Sequence, residues 1–171
     1  MMNKPKGVVC ANHDVLHKTV IDLIGHPYNR LDLNIVGRLD LDTTGLLLLS
    51  NDGQFIHDII SPAKKVSKTY FVTTKDPFKN PNVLEGEYQI EDGRGRLFQP
   101  KDVKVQAIDD YHFNVTIYEG KYHQVKNMVA HFNNEVIELK RESIGSLVLE
   151  KDLNTSEYRE LTKKERQLLF D

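Results

Sequence analysis

Apolar residues fall along this chain in short runs separated by turn residues. Leu46 to Leu49 are four leucines in a row, bounded by Gly45 and by Ser50-Asn51. Such a run predicts a strand buried on both faces. Asn34-Ile35-Val36 predicts a second short strand just before it, and a polar hinge from Gly37 to Gly45 joins the two. At the start, Asn3-Lys4-Pro5-Lys6-Gly7 reads as a turn followed by a strand, Val8-Val9-Cys10. His17 to Gly25 predicts a short helix with Val20, Leu23 and Ile24 on one face, and Gln54 to Ile60 a second helix stopped by Pro62. Thr69 to Val72 reads as a strand. Asp76 to Pro100 is rich in turn residues and holds a hairpin and a surface loop. Val103 to Ile108 and Phe113 to Tyr118 alternate apolar and polar residues around Asp109-Asp110, the pattern of a β-hairpin. Val125, Met128, Val129 and Phe132 recur at helical spacing. Val136 to Lys140 and Ile144 to Leu149 are strands, the second crossing Gly145. Thr162 to Glu165 is a capping box that opens a C-terminal helix. Strands in hairpins with a few helices between them predict an α+β fold: a mixed, mostly antiparallel sheet with flanking helices, and not a doubly wound parallel one.

Composition narrows this little. At 171 residues, one domain with room for two lobes is expected. An apolar content of 39% and a charged content of 28% fit a globular chain. The net charge of −2, from 23 basic and 25 acidic residues, gives no global sign of nucleic acid. A nucleic-acid partner then needs a local basic face. Cys10 is the only cysteine, so neither an intrachain disulfide nor a cysteine zinc cluster is available. The start, MMNKPKGVV, lacks a signal-peptide apolar core, and no run is long enough to span a membrane. A cytoplasmic location is expected.

The chemistry concentrates in the hinge. Arg38, Asp40, Asp42, Thr43 and Thr44 lie between two buried strands. Acidic groups there are costly unless paired or functional. The bland alternative is a tight turn with Asp42 and Thr43 capping backbone groups. Lys121, His123, Gln124 and Lys126 cluster at the start of the helix through Met128. Cations oppose the helix dipole at that end, which makes sense if they meet an anion; otherwise they form a solvated face. Tyr70, beside Lys64, Lys65 and Lys68, is either a packing residue or a stacking platform for a base. His13 and His17 have the spacing of a metal pair but no third ligand nearby, so surface histidines are favoured. Asp40-Leu41-Asp42-Thr43-Thr44 also fits the D-x-D-x-T pattern of magnesium-dependent aspartyl phosphatases, with Asp109-Asp110 as a distant metal pair. That reading needs an apolar strand directly before the motif and a parallel sheet, and neither is predicted.

Several stretches together resemble the RsuA-type branch of the ribosomal RNA pseudouridine synthases. They are Asn3-Lys4-Pro5-Lys6-Gly7, Gly37-Arg38-Leu39-Asp40 with Asp42-Thr43-Thr44-Gly45-Leu46, Lys68-Thr69-Tyr70, Glu119-Gly120-Lys121 with Gln124-Val125-Lys126-Asn127-Met128, and Leu139-Lys140-Arg141 with Ile144-Gly145 and Leu147. Five motifs in family order are specific where one is weak. The Asp-Thr-Thr-Gly-Leu tail and Ser61-Pro62 look most similar to the small-subunit, 16S rRNA enzymes. The resemblance implies site-specific isomerisation of uridine to pseudouridine, with no cofactor and no metal. It makes Asp40 the catalytic carboxylate, Lys126 its cationic partner and Tyr70 a platform for the target base that also assists proton removal. Arg38 would hold the target nucleotide out of its helix, and Lys68, Lys121, Gln124 and Arg141 would contact RNA. The implied partner is ribosomal RNA, free or in a partly assembled small subunit; a monomer and no membrane contact are expected. The family pattern places a small basic RNA-binding domain ahead of the catalytic one, whereas residues 1–171 open on the catalytic domain. That accounts for the near-neutral charge. The alternative within the same resemblance is a non-catalytic RNA-binding module for ribosome assembly. Asp40 argues against it, since a carboxylate in an RNA cleft repels phosphate unless chemistry needs it.

Overall fold

The computed structural model describes residues 1–171. Its strands are β1 (Met2–Lys4), β2 (Asn34–Val36), β3 (Thr44–Ser50), β4 (Lys68–Thr74), β5 (Ile90–Glu91), β6 (Leu97–Phe98), β7 (Lys104–Ala107), β8 (His112–Ile117), β9 (Val136–Ile144) and β10 (Leu147–Val148). The α-helices are α1 (Gly53–Ile60), α2 (Gln124–His131) and α3 (Lys163–Leu168). The main sheet runs β1-β3-β9-β4-β8-β7, with β2 beside β3 and β10 beside β9. Every pairing in it is antiparallel except the short parallel match of β3 with β9. The fold is α+β, as the pattern predicts. No helix is long and apolar enough to cross a membrane.

The leucine run is buried on both sides. Leu46 and Leu48 join Val36, Ile59, Ile144, Leu147 and Leu169 in one core. Leu47 points the other way, to Met2, Val8, Cys10, Val20, Ile24 and Leu39. The two-residue alternation of a strand thus feeds two cores from one run. A third core lies under α2, where Val125, Met128 and Val129 meet Val72, Phe113, Val115 and Ile117. Tyr70 on β4 packs against both the second and the third of these cores.

Three expectations need correction. The first strand is Met2–Lys4, inside the stretch expected to turn, and it pairs with Gly45 to Leu47. Val8-Val9-Cys10 forms no strand beyond a single bridge from Val9 to Thr19; Pro5 offers no N–H, and Gly7 turns the chain at φ +78°. The helix expected over 17–25 shrinks to a single 3₁₀ turn, Ile21–Leu23. Thr19 and Asp22 bond each other's backbone N–H there, and Ile24 leaves in an extended conformation. The strand expected across Gly145 is instead the end of β9, a turn at Gly145, and β10 folding back on it. Gly145 takes φ +55°, and a Cβ there would lie 2.4 Å from the Leu169 carbonyl oxygen.

Candidate active site

Two buried cations shape the hinge between β2 and β3. Lys4 is 0% exposed. Its ammonium donates to the carbonyls of Thr43 at 2.8 Å, Asp40 and Pro5 at 3.0 Å, and Leu41 at 3.4 Å. Burial lowers its pKa below the ordinary lysine value, with Cys10, Asp42 and Asp40 pulling the other way. Arg141 on β9 is 2% exposed; Nε donates to the Leu46 carbonyl at 2.8 Å and a terminal nitrogen to the Gly37 carbonyl at 3.0 Å. It therefore ties both ends of the hinge. Gly45 is pinned there too: it takes φ +103°, and a Cβ would sit 2.3 Å from the Arg141 carbonyl oxygen. Fixed cations hold the carbonyls of Gly37, Asp40, Leu41, Thr43 and Leu46, which keeps the loop in one shape.

That shape presents Asp40 to the start of α2. Lys126 Nζ lies 3.0 Å from Asp40 Oδ2 and 2.7 Å from Asp42 Oδ1. His123 Nε2 lies 3.4 Å from Asp40 Oδ1. The Lys126 hydrogen bond holds Asp42 below the usual carboxylate range. Burial alone would lower the Lys126 ammonium, but Asp42 and Asp40 outweigh it and hold it above its ordinary value. His123 is the residue before α2 and takes a left-handed conformation, φ 49°, uncommon for a residue with a side chain. Its ring stacks on Tyr122 at 3.8 Å.

A cleft of about 70 Å³ opens over these groups. Asp40, Lys126, His123 and Tyr70 all line it, with Arg38 and Lys121 at the same walls. Thr43 lines it as well, and its buried hydroxyl has no hydrogen-bond partner. Arg38 is exposed and Lys121 carries its ammonium 5.7 Å from the Phe98 ring centroid.

Some sequence-predicted contacts are placed elsewhere. Arg141, expected to touch RNA, is buried on the hinge carbonyls, with 2% of its surface exposed. Gln124 is buried too; it donates to Glu119 at 3.0 Å and accepts from the Lys121 backbone at 3.2 Å, which shapes the turn into α2. Lys68 is half-buried, with its ammonium on the Tyr118 carbonyl at 3.3 Å. Burial and then Arg141 lower its pKa. The sequence places His123 in the cation cluster before Lys126, and Asp42 and Thr43 in the hinge, without assigning them roles; Lys4 is the residue it does not point to. The structure resolves the cluster: His123 and Lys126, three apart at the start of α2, meet the same carboxylate. The phosphatase reading fails on the sheet, which is mostly antiparallel, and on Asp109, which binds His112 at 2.8 Å.

Known proteins resemble the chain over nearly its whole length. A family model described as RNA pseudouridylate synthase matches residues 1–131. A Haemophilus influenzae protein named ribosomal small subunit pseudouridine synthase A is 42% identical over 174 residues, covering 99% of this chain and 72% of that protein. A Bacillus subtilis protein named as an uncharacterized RNA pseudouridine synthase is 43% identical over 171 residues, covering 99% of this chain and 72% of that protein. A solved pseudouridylate synthase structure superposes with a TM-score of 0.90 at 42% identity, covering 98% of this chain and 71% of that one.

Proposed function

The chain belongs to the RNA pseudouridylate synthase family, and we propose that Asp40 is the carboxylate with which it converts uridine to pseudouridine in ribosomal RNA. The name of the Haemophilus relative supports small-subunit RNA as the substrate. One observation carries the assignment of the site: a single carboxylate in the cleft, Asp40, is held by Lys126 at 3.0 Å and His123 at 3.4 Å while Tyr70 lines the same space.

The reaction breaks the bond from ribose C1′ to N1, turns the uracil, and joins C5 to the same C1′. C5 loses its proton and N1 gains one, so no electrons enter or leave. Asp40 serves as nucleophile or as stabiliser of positive character during cleavage. Lys126 and His123 fix its two oxygens in place. The target base must leave its stack, at roughly a few kcal/mol, and an aromatic face recovers part of that. Tyr70 supplies the face and assists removal of the C5 proton; Arg38 and Lys121 at the cleft walls hold the displaced nucleotide's phosphates.

On this reading residues 1–171 are the catalytic domain, acting as a monomer in the cytoplasm on RNA that is free or in a partly assembled small subunit. The test incubates the chain with small- and large-subunit ribosomal RNA and maps pseudouridine by carbodiimide-dependent primer stops. A new stop in small-subunit RNA is the expected result. No stop in either RNA would end the reading.

A further inference from the structure

The loop from Cys10 to Lys18 is built like a tool that the fold itself does not use. Its two ends are fastened together: Val9 N–H donates to the Lys18 carbonyl and Val20 N–H to the Val9 carbonyl, each at 3.0 Å. Its root is fastened to the active-site hinge, since the Cys10 sulfur accepts from Leu39 N–H at 3.3 Å and Gly7 N–H donates to the Leu41 carbonyl at 2.9 Å. Val9 and Cys10 line a hollow of about 460 Å³ together with Arg38, Asp40, Lys121 and His123. The loop therefore stands at the edge of the catalytic groove.

Its tip is fixed and apolar. Asp14 Oδ1 accepts from Leu16 N–H at 2.8 Å and from His17 N–H at 2.7 Å, which holds the turn. The residues so presented, Val15 and Leu16, are 99% and 84% exposed. Aliphatic side chains this bare, side by side on a fixed turn, gain stability when an apolar surface such as a base face covers them. Of the flanks, His17 turns its ring to Asp14 at 3.3 Å, while His13 and Lys18 leave basic side chains beside the tip, which suits a phosphate backbone there. Val15 is five residues from Cys10, a reach of at most roughly 18 Å, or a few base steps.

Resting on the reading of the site as an RNA-modifying centre, we infer that Val15 and Leu16 insert into the RNA beside the target uridine, as an apolar wedge against the bases left exposed when the uridine swings into the cleft. Apolar side chains take this role between base steps in other nucleic-acid complexes, where they stabilise an unstacked step.

The test measures binding, so it does not depend on catalysis. A small-subunit rRNA transcript is titrated with the parent chain and with the Val15→Ser/Leu16→Ser double variant, at several salt concentrations. The expected result is at least tenfold weaker binding with an unchanged melting temperature. The salt slope should be unchanged as well, because an apolar contact releases no counterions. Lys18→Ala, as the contrast, should flatten that slope. Equal binding by parent and double variant overturns the inference, as does a parent chain that binds no RNA. A parent dimer that the double variant dissolves, with RNA binding intact, also overturns it and makes the tip a protein contact. If binding falls as expected but no pseudouridine forms in a parallel assay, the fault lies with the assigned chemistry and not with the loop.

Discussion

The Lys126 ammonium lies closer to Asp42, at 2.7 Å, than to Asp40, at 3.0 Å. Distance alone would make Asp42 the principal partner. Exposure reverses this: the Asp42 side chain is 66% exposed and that of Asp40 29%. An open ion pair contributes only about 0–1 kcal/mol, because water screens it. Asp40 is the carboxylate that lines the cleft, and Asp42 acts as a lateral tether for the lysine. Asp40→Asn keeps the shape and removes the charge, so pseudouridine formation should fall below detection while RNA affinity changes little. Asp42→Asn should retain activity within about tenfold. Primer-stop mapping and filter binding on both variants check this; equal losses would erase the distinction between the two carboxylates.

Lys126→Ala separates function from folding. The lysine is only partly buried and its pairs face the cleft, so its loss should cost about 1 kcal/mol or less of stability, a shift of roughly 2–4 °C in Tm. It also leaves Asp40 with only His123 beside it. The rate should fall by about 10²-fold or more, the scale on which removal of a preorganised electrostatic partner acts. A variant that melts much earlier yet keeps its rate once folded would make Lys126 a structural residue.

Much of this site was readable before the structure, and the unread part has a common cause. The run Leu46 to Leu49 and the helical spacing of Val125, Met128 and Val129 are local patterns, so β3 and α2 came out where the pattern put them. The first-turn cations of α2 were legible as a conflict with the helix dipole, and the carboxylates they meet resolve it. Lys4 was not legible. In Lys4-Pro5-Lys6-Gly7 a lysine reads as part of a solvated turn, and only the folded hinge brings the carbonyls of Asp40, Leu41 and Thr43 around its ammonium. Arg141 was misread for the same reason: a basic residue in a family motif suggests phosphate, but here its partners are backbone oxygens from residues far away in sequence. The helix expected near Ile21 opens normally, with Thr19 and Asp22 bonding each other's backbone N–H as at a helix start, but stops after one turn because Ile24 leaves extended and Gly25 and Pro27 follow.

Lys4→Met tests the buried plug directly. Methionine fills similar space but donates no hydrogen bonds, so carbonyls now satisfied by the ammonium lose their partner in a dry interior. Leaving buried carbonyls such as that of Thr43 without a donor costs about 1–3 kcal/mol. For a chain of this size that corresponds to a Tm lower by roughly 2–10 °C. Activity should fall with it, because the hinge that aims Asp40 loses its centre, although Lys4 is not among the cleft-lining residues. Thermal melts and pseudouridine mapping, run well below the variant's Tm, check both halves. Full stability in Lys4→Met would mean that the carbonyls find other donors.

Acid should loosen the C-terminal helix first. Glu165 caps α3 by accepting from Thr162 N–H at 2.8 Å, and it pairs with Arg159 at 2.7 Å. The Arg159 hydrogen bonds, and then that of Thr162, hold the Glu165 carboxyl at about 2 against an ordinary 4.5. A carboxyl whose pKa is depressed by folding contributes stability that is fully present above its unfolded value and disappears as pH falls through the folded one. The window therefore lies between pH 4.5 and about 2. Arg159 and Glu165 are both partly exposed, so water screens the pair and the effect is small, about 1 kcal/mol including the cap. Glu165→Gln removes this titration and should reduce the pH dependence of Tm within this window, Asp42 and Asp92 among others keeping theirs, while lowering Tm by a few degrees at neutral pH. Since Leu169, just past α3, packs in the same core as Leu46 and Leu48, loss of the cap reaches the far side of β3 from Asp40. Activity at neutral pH should hardly change, and a parallel collapse of activity would show that the helix end supports the hinge as well as the core.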